Sequence, residues 1–239
     1  MSPARDVGPA AVVAGRLGIF GGTFDPIHLG HLAVADAARE ALGLERVLFV
    51  PAGVPPHRTA APRASATDRA AMVDLAIAGQ PAFALSRIEV ERDGPSFSVD
   101  TVEALAAAEL AAGRRPDLWF LLSAEAFAGF AGWRAPDRIL ACCRLAILPR
   151  REYGPPDLDP IGRIVPAAAE RIVLLDGPHV ELSASEIRAR AGRGLSVRYL
   201  VPAAVASYIV DHALYRTDPA AGPRPLEPIA AIPGGTPRP

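Results

Sequence analysis

Six short apolar runs alternate with six longer stretches of helical periodicity, and few folds accept that order. The strand-like runs are Arg16–Phe20, Arg46–Val50, Ala82–Val90, Leu118–Leu122, Arg144–Leu148 and Arg171–Leu175. Helical patterns fill His28–Leu42, Thr67–Ala78, Val99–Ala112, Pro136–Cys142, Ser185–Ala191 and Ala203–His212. This alternation predicts an α/β fold, a parallel sheet covered by helices on both faces. Several runs lack polar alternation, as strands buried on both sides require. Ligands of such sheets sit beyond the carboxyl ends of the strands, so the loops there are where chemistry is expected.

Half of the 239 residues are hydrophobic, enough for a sizeable core. The 25 basic residues are all arginine and face 26 acidic ones, for a net charge of −1. That balance argues against a nucleic-acid coat or a polybasic membrane anchor. No run of about 18 uncharged apolar residues occurs and the N-terminus lacks signal-peptide order, so no membrane partner is expected. Cys142 and Cys143 are adjacent and belong to no CxxC or Cys/His ligand spacing. They are expected to be free thiols that pack as small hydrophobes, which suits the cytoplasm. Residues 1–15 show no sustained period, and residues 217–239 are dense in proline. Both are expected to be mobile tails around one domain, residues 16–216.

The most informative stretch runs from Gly18 to His31, Gly-Ile-Phe-Gly-Gly-Thr-Phe-Asp-Pro-Ile-His-Leu-Gly-His. A predicted strand ends at Phe20, and Gly21 and Gly22 let a ligand approach the backbone closely. A helix then starts near His28, and its first N–H groups suit phosphate. His28 and His31 are three apart, which predicts one shared helical face. Two imidazoles there can donate to phosphate oxygens as charge develops. The glycines do not fit GxGxxG, which argues against a dinucleotide oxidoreductase. His57, His179 and His212 complete no zinc ligand set with this pair, so no metal is expected on protein side chains.

This string resembles the signature of the nucleotidyltransferase superfamily, whose members carry [HT]xGH after the first strand. The longer form GGTFDPIHxGHL is similar to that of the nicotinate-mononucleotide adenylyltransferases. Further segments extend the resemblance over about residues 16–216. Pro51-Ala-Gly-Val-Pro-Pro-His57-Arg58 resembles the family's P-x-x-x-P-P-H-K loop, with Arg58 for Lys. Pro95-Ser-Phe97-Ser98-Val-Asp-Thr is similar to P-S-Y-T-x-D-T, and Ser98 also reads as an N-cap. Leu122-Ser-Ala-Glu125 to Trp133 resembles G-A-D-x-x-x-x-x-x-x-W, with Ser123 for Gly and Glu125 for Asp. Arg150 matches the Arg of a strand-end R-P-G-Y, which Arg151 and Glu152 interrupt; these two read as solvated charge. Leu182-Ser183-Ala-Ser185-Glu-Ile187-Arg188 resembles I-S-[SA]-T-x-I-R, and Ser183 with Glu186 has the spacing of a capping box.

The resemblance implies a Rossmann-like, doubly wound parallel sheet of the nucleotidyltransferase type. It implies adenylyl transfer from ATP to nicotinate mononucleotide, giving nicotinate adenine dinucleotide and pyrophosphate in NAD synthesis. His28, His31 and Arg188 would be the catalytic set. Gly21, Gly22, Thr23, Phe24, Ser183, Ser185 and Ile187 would join them at ATP. His57, Arg58, Phe97, Ser98 and Trp133 would meet nicotinate mononucleotide, with backbone N–H groups near Phe97–Ser98 at the pyridine carboxylate and Trp133 stacked on the ring. The contacts of Glu125 and Arg150 stay open. Mg²⁺ would arrive with ATP, and a homo-oligomer is left open. Two other readings remain: adenylyl or cytidylyl transfer to another phosphorylated acceptor, and a nucleotide-binding relative that has lost catalysis through Ser123 and Glu125.

Overall fold

In the computed structural model, the described residues are 15–56, 61–148, 156–178 and 180–216. Apart from Gly15, both expected tails lie outside them, as do His57, Arg58 and the Arg150–Tyr153 stretch. The strands are β1 (Leu17–Gly22), β2 (Arg46–Pro51), β3 (Phe83–Leu85), β4 (Leu118–Ser123), β5 (Cys143–Leu148) and β6 (Ile172–Leu174). The helices are α1 (Leu29–Leu42), α2 (Ala66–Ile77), α3 (Ser98–Ala111), α4 (Ala124–Ala128), α5 (Pro136–Cys142), α6 (Asp159–Gly162), α7 (Ala184–Gly192) and α8 (Ala203–Asp211).

All the strand pairs are parallel, and the sheet order is β3-β2-β1-β4-β5-β6. This is the doubly wound order expected from the alternation of elements. The winding reverses between β1 and β4, which opens a crevice at their carboxyl ends. Successive strand residues feed opposite faces. Phe20, Trp119 and Leu121 pack with α1, α2, α7 and α8 through Ala38, Met72, Ile187 and Val205. Ile19, Phe120 and Leu122 pack with α3, α4, α5 and α6 through Val102, Phe127, Ile139 and Ile161. Two buried faces explain why these strands read as unbroken apolar runs.

The third strand is shorter than its apolar run suggests. Ser86 still donates to Phe49 O, but the chain then turns, with Glu91 N bonding Arg87 O. The turn buries Glu89 against the Thr101 hydroxyl, 2.7 Å away, and that polar anchor ends the strand. The short helices α4 and α6 carry too few turns to show a period in the sequence. No described helix is long and apolar enough to cross a membrane. Cys143 is buried, Cys142 is half-buried, and both are free thiols. Burial pushes the Cys143 thiol up to about 12, so it stays protonated and packs as a small hydrophobe.

Candidate active site

The loop after β1 is built around a reciprocal cap. His28 has extended backbone angles (φ −143°, ψ 169°) and is the N-cap of α1 rather than part of it. Its Nδ1 accepts from the His31 backbone N–H at 3.3 Å, and His31 Nδ1 accepts from the His28 N–H at 3.2 Å. The two rings stack with centroids 3.6 Å apart and planes 21° from parallel. The shared helical face inferred from spacing is therefore replaced by a capping box, in which histidines fill the places usually taken by Ser and Glu. The network fixes the tautomer: with Nδ1 accepting, each neutral ring carries its proton on Nε2 as a donor. Gly30 allows the stack, since a Cβ there would come 3.1 Å from His28 Nδ1.

Phe24 holds this loop from below. Its ring is buried, with its centroid 5.1 Å from that of His31 and 5.6 Å from that of Phe20. Its φ of 48° is left-handed, a strained setting for an aromatic residue, kept where packing over-determines it. Gly21 and Gly22 end β1 beside it, and Gly22 O accepts from Ala52 N of the next loop.

Three polar residues that sequence reasoning gave no role organise the site. Asp25 is buried; its carboxylate accepts from the N–H groups of Arg63 (2.9 Å) and Ala64 (3.1 Å) and from the Tyr215 hydroxyl (2.9 Å). Burial, then the Asp25 carboxylate, push the Tyr215 hydroxyl far above its ordinary pKa, so it remains a donor. Arg69 is fully buried and donates to Thr23 O at 2.7 Å and Gly53 O at 3.0 Å. It thereby joins the loops after β1 and β2. Arg69 was visible as a charge on the apolar side of α2, three and four residues before Met72 and Val73. Asp25 stood inside the glycine–histidine string.

Arg188 reaches this loop from α7. It donates to Asp25 O at 2.7 Å and to Ser185 Oγ at 3.0 Å, and lies 3.8 Å from the Asp25 carboxylate. A guanidinium has more donors than these two bonds use. The capping box predicted at the start of α7 does not form. Ser183 is the N-cap, but its side chain makes no cap bond. Ile187 is buried in the core, and its N–H is spent on Ser183 O.

On the other side of the crevice, Ser98 is the first residue of α3 and Phe97 its N-cap, so Ser98 does not cap as predicted. The Arg134 guanidinium lies over the Phe97 ring at 4.5 Å. Trp133 is half-buried, edge-on to Phe120 (6.1 Å) and Phe130 (5.4 Å). Ser123 caps α4, its hydroxyl accepting from Ala126 N at 3.1 Å, and Glu125 is exposed in the first turn of that helix. Loop residues from β1, β2 and β4 and the starts of α3 and α7 thus meet at the carboxyl edge of the sheet. His57, Arg58 and Arg150 fall outside the described residues. Among the described residues, no group of three or more His, Cys, Asp or Glu gathers in a way that could hold a metal ion.

Residues 19–190 match the cytidylyltransferase-like family model. A Thermomicrobium roseum protein named "Probable nicotinate-nucleotide adenylyltransferase" is 44% identical over 204 residues, covering 84% of this chain and 92% of the relative. The chain belongs to the nicotinate-nucleotide adenylyltransferase family. A Roseiflexus member with the same name is 40% identical over 200 residues, covering 84% of this chain and 98% of that one. The fold matches that of the Plasmodium falciparum nicotinic acid mononucleotide adenylyltransferase complexed with NaAD, at a TM-score of 0.67 and 16% identity, over 84% and 98% of the two chains. Ser123 and Glu125 both sit at the start of α4, where Ser123 serves as the helix cap.

Proposed function

We propose that this protein transfers the adenylyl group of ATP to nicotinate mononucleotide, forming nicotinate adenine dinucleotide and releasing pyrophosphate in NAD biosynthesis. The observation that carries this reading is the stacked His28–His31 pair at the switch point of the sheet, with both Nδ1 atoms committed to the backbone. In that tautomer each Nε2–H is a donor that can serve an α-phosphate.

In this reading the mononucleotide phosphate, already ionised near neutral pH, attacks the α-phosphorus of ATP in line. The bond from the α-phosphorus to its bridging oxygen breaks, and pyrophosphate leaves with that electron pair. No base is required, so catalysis is positioning and charge stabilisation. His28 and His31 hold the α-phosphate. Arg188, with Ser183 and Ser185 at the start of α7, takes the β,γ-phosphates. Gly21, Gly22, Thr23 and Phe24 line the nucleotide. Magnesium enters as part of the MgATP substrate and keeps several of its waters, so it needs few protein ligands. Trp133 stacks on the nicotinate ring, and N–H groups near Phe97 and Ser98 face its carboxylate, with His57 and Arg58 also on the acceptor side. We place the enzyme in the cytoplasm, supported by its two free thiols.

The test is to incubate the purified protein with MgATP and a panel of acceptors, namely nicotinate mononucleotide, its amide, phosphopantetheine and no acceptor. Pyrophosphate and the dinucleotide are measured together. Equimolar pyrophosphate and nicotinate adenine dinucleotide are expected. Preference for phosphopantetheine, or binding without turnover, would replace this reading.

A further inference from the structure

The loop after β2 is fastened to the start of α3 by one buried serine. Ser96 Oγ accepts from Gly53 N at 3.0 Å and from Val54 N at 3.2 Å. The Ser96 backbone N–H returns a bond to Val54 O at 2.9 Å. The Ser96 hydroxyl also pulls the buried Glu89 carboxyl down, against the rise that burial causes. Glu89 also accepts from Thr101 Oγ1 at 2.7 Å, and Arg92 donates to that same oxygen at 3.3 Å. Ser96, Glu89 and Thr101 are all buried. Glu89 and Arg92 thus tie the turn after β3 to α3, and Ser96 ties the residue pair before α3 to the loop after β2. Ser96 directly precedes Phe97 and Ser98, and at the other end Gly53 O meets Arg69, which also holds Thr23 O of the loop after β1.

We infer that Ser96 is a positioning residue for the acceptor half of the site: its hydroxyl fixes the Gly53–Val54 loop against the α3 start and so sets the spacing at which the acceptor is gripped. The inference rests on the adenylyltransferase reading given above. A buried hydroxyl that accepts from two neighbouring amides acts as a spacer, and losing it leaves both amides without that acceptor while the backbone bond to Val54 survives. The domain should stay folded and the loop should loosen. Since Ser96 adjoins Phe97 and Ser98, whereas ATP is held by the His28–His31 loop and α7, the change should register more strongly on the acceptor than on ATP.

The experiment is steady-state kinetics on Ser96→Ala with each substrate varied in turn. The KM for nicotinate mononucleotide is expected to rise about tenfold, the equivalent of one to two ordinary hydrogen bonds, with the KM for ATP within about twofold of wild type. Ser96→Thr, which keeps the hydroxyl, should return the acceptor KM most of the way. Gly53→Ala reaches the same loop independently, because a Cβ there presses on the Glu89 carbonyl oxygen and lies 3.1 Å from Ser96 Oγ. It should reproduce the acceptor-selective rise. An unchanged acceptor KM in a folded Ser96→Ala, or equal rises for both substrates in the two variants, overturns the inference. Failure of wild type to adenylylate nicotinate mononucleotide would instead overturn the functional reading beneath it.

Discussion

His28 and His31 cap each other: each Nδ1 accepts the other's backbone N–H, and the rings stack at 3.6 Å. A helix start and a donor pair are thereby made from the same two side chains. Stability and chemistry are coupled at this point, so replacing either histidine affects both, to different extents.

Arg69 should be the most expensive of the buried residues to lose. Arg69→Leu keeps the apolar contacts of α2 but strips the Thr23 and Gly53 carbonyls of their buried donor. The expected cost is about 1–3 kcal/mol for each buried carbonyl left without a donor. Urea unfolding of the variant measures it; a loss under about 1 kcal/mol would show that water replaces the guanidinium at no penalty.

Tyr215, in the turn that follows α8, donates to Asp25. Tyr215→Phe leaves the ring packed and removes one buried donor, for an expected loss of about 1–3 kcal/mol. Because Asp25 O also accepts from Arg188, the KM for ATP should rise more than the KM for nicotinate mononucleotide. Denaturation and substrate titrations together check both parts.

Glu89 gives a pH signature. Burial, its largest influence, raises the carboxyl above the usual carboxylate range, against the lowering pull of Thr101, Arg92 and Ser96. A pKa higher in the folded state means that the fold binds this proton more tightly. The group's stabilisation is therefore complete below the usual carboxylate pKa and is lost as pH rises through the folded value. Glu89→Gln cannot titrate. The difference in Tm, wild type minus Glu89→Gln, should fall as pH rises from about 4 toward 7. A flat difference would mean that Glu89 titrates as it does in the unfolded chain.

The fold was legible because its main signals are local. Six strands, the helices α1, α2, α3, α5, α7 and α8, and the parallel order all follow from period and alternation. What escaped depends on contacts distant in sequence. The third strand stops at Leu85 because Glu89 is drawn to Thr101. The α7 capping box fails although Ser183 and Glu186 have its spacing, and the capping box that does form uses two histidines, which composition does not suggest. Asp25 and Tyr215 are 190 residues apart. No period or spacing links such a pair, whereas the Gly18–His31 string carries its chemistry in consecutive positions.

Selectivity for the acid over the amide follows from the donors proposed around the acceptor carboxylate. Charge-assisted bonds favour the carboxylate, while the amide sets its own N–H₂ against donors, at about 1–3 kcal/mol for each group left unpaired. The kcat/KM for nicotinate mononucleotide should exceed that for its amide by about two orders of magnitude or more. Trp133→Ala should weaken both acceptors, since stacking senses the ring more than its substituent. Equal rates for acid and amide in wild type would remove the donor-only account of this pocket.

The central claim is that the His28–His31 pair stabilises adenylyl transfer, and the turnover of His31→Ala tests it most directly. The rate of nicotinate adenine dinucleotide formation is measured at saturating MgATP and nicotinate mononucleotide, beside thermal unfolding of the same sample. A fall in kcat of about 10²–10³ is expected, the usual cost of one preorganised donor. Stability should fall by only about 0.5–2 kcal/mol, the cost of a lost helix cap. Turnover close to wild type in the folded variant would contradict the account.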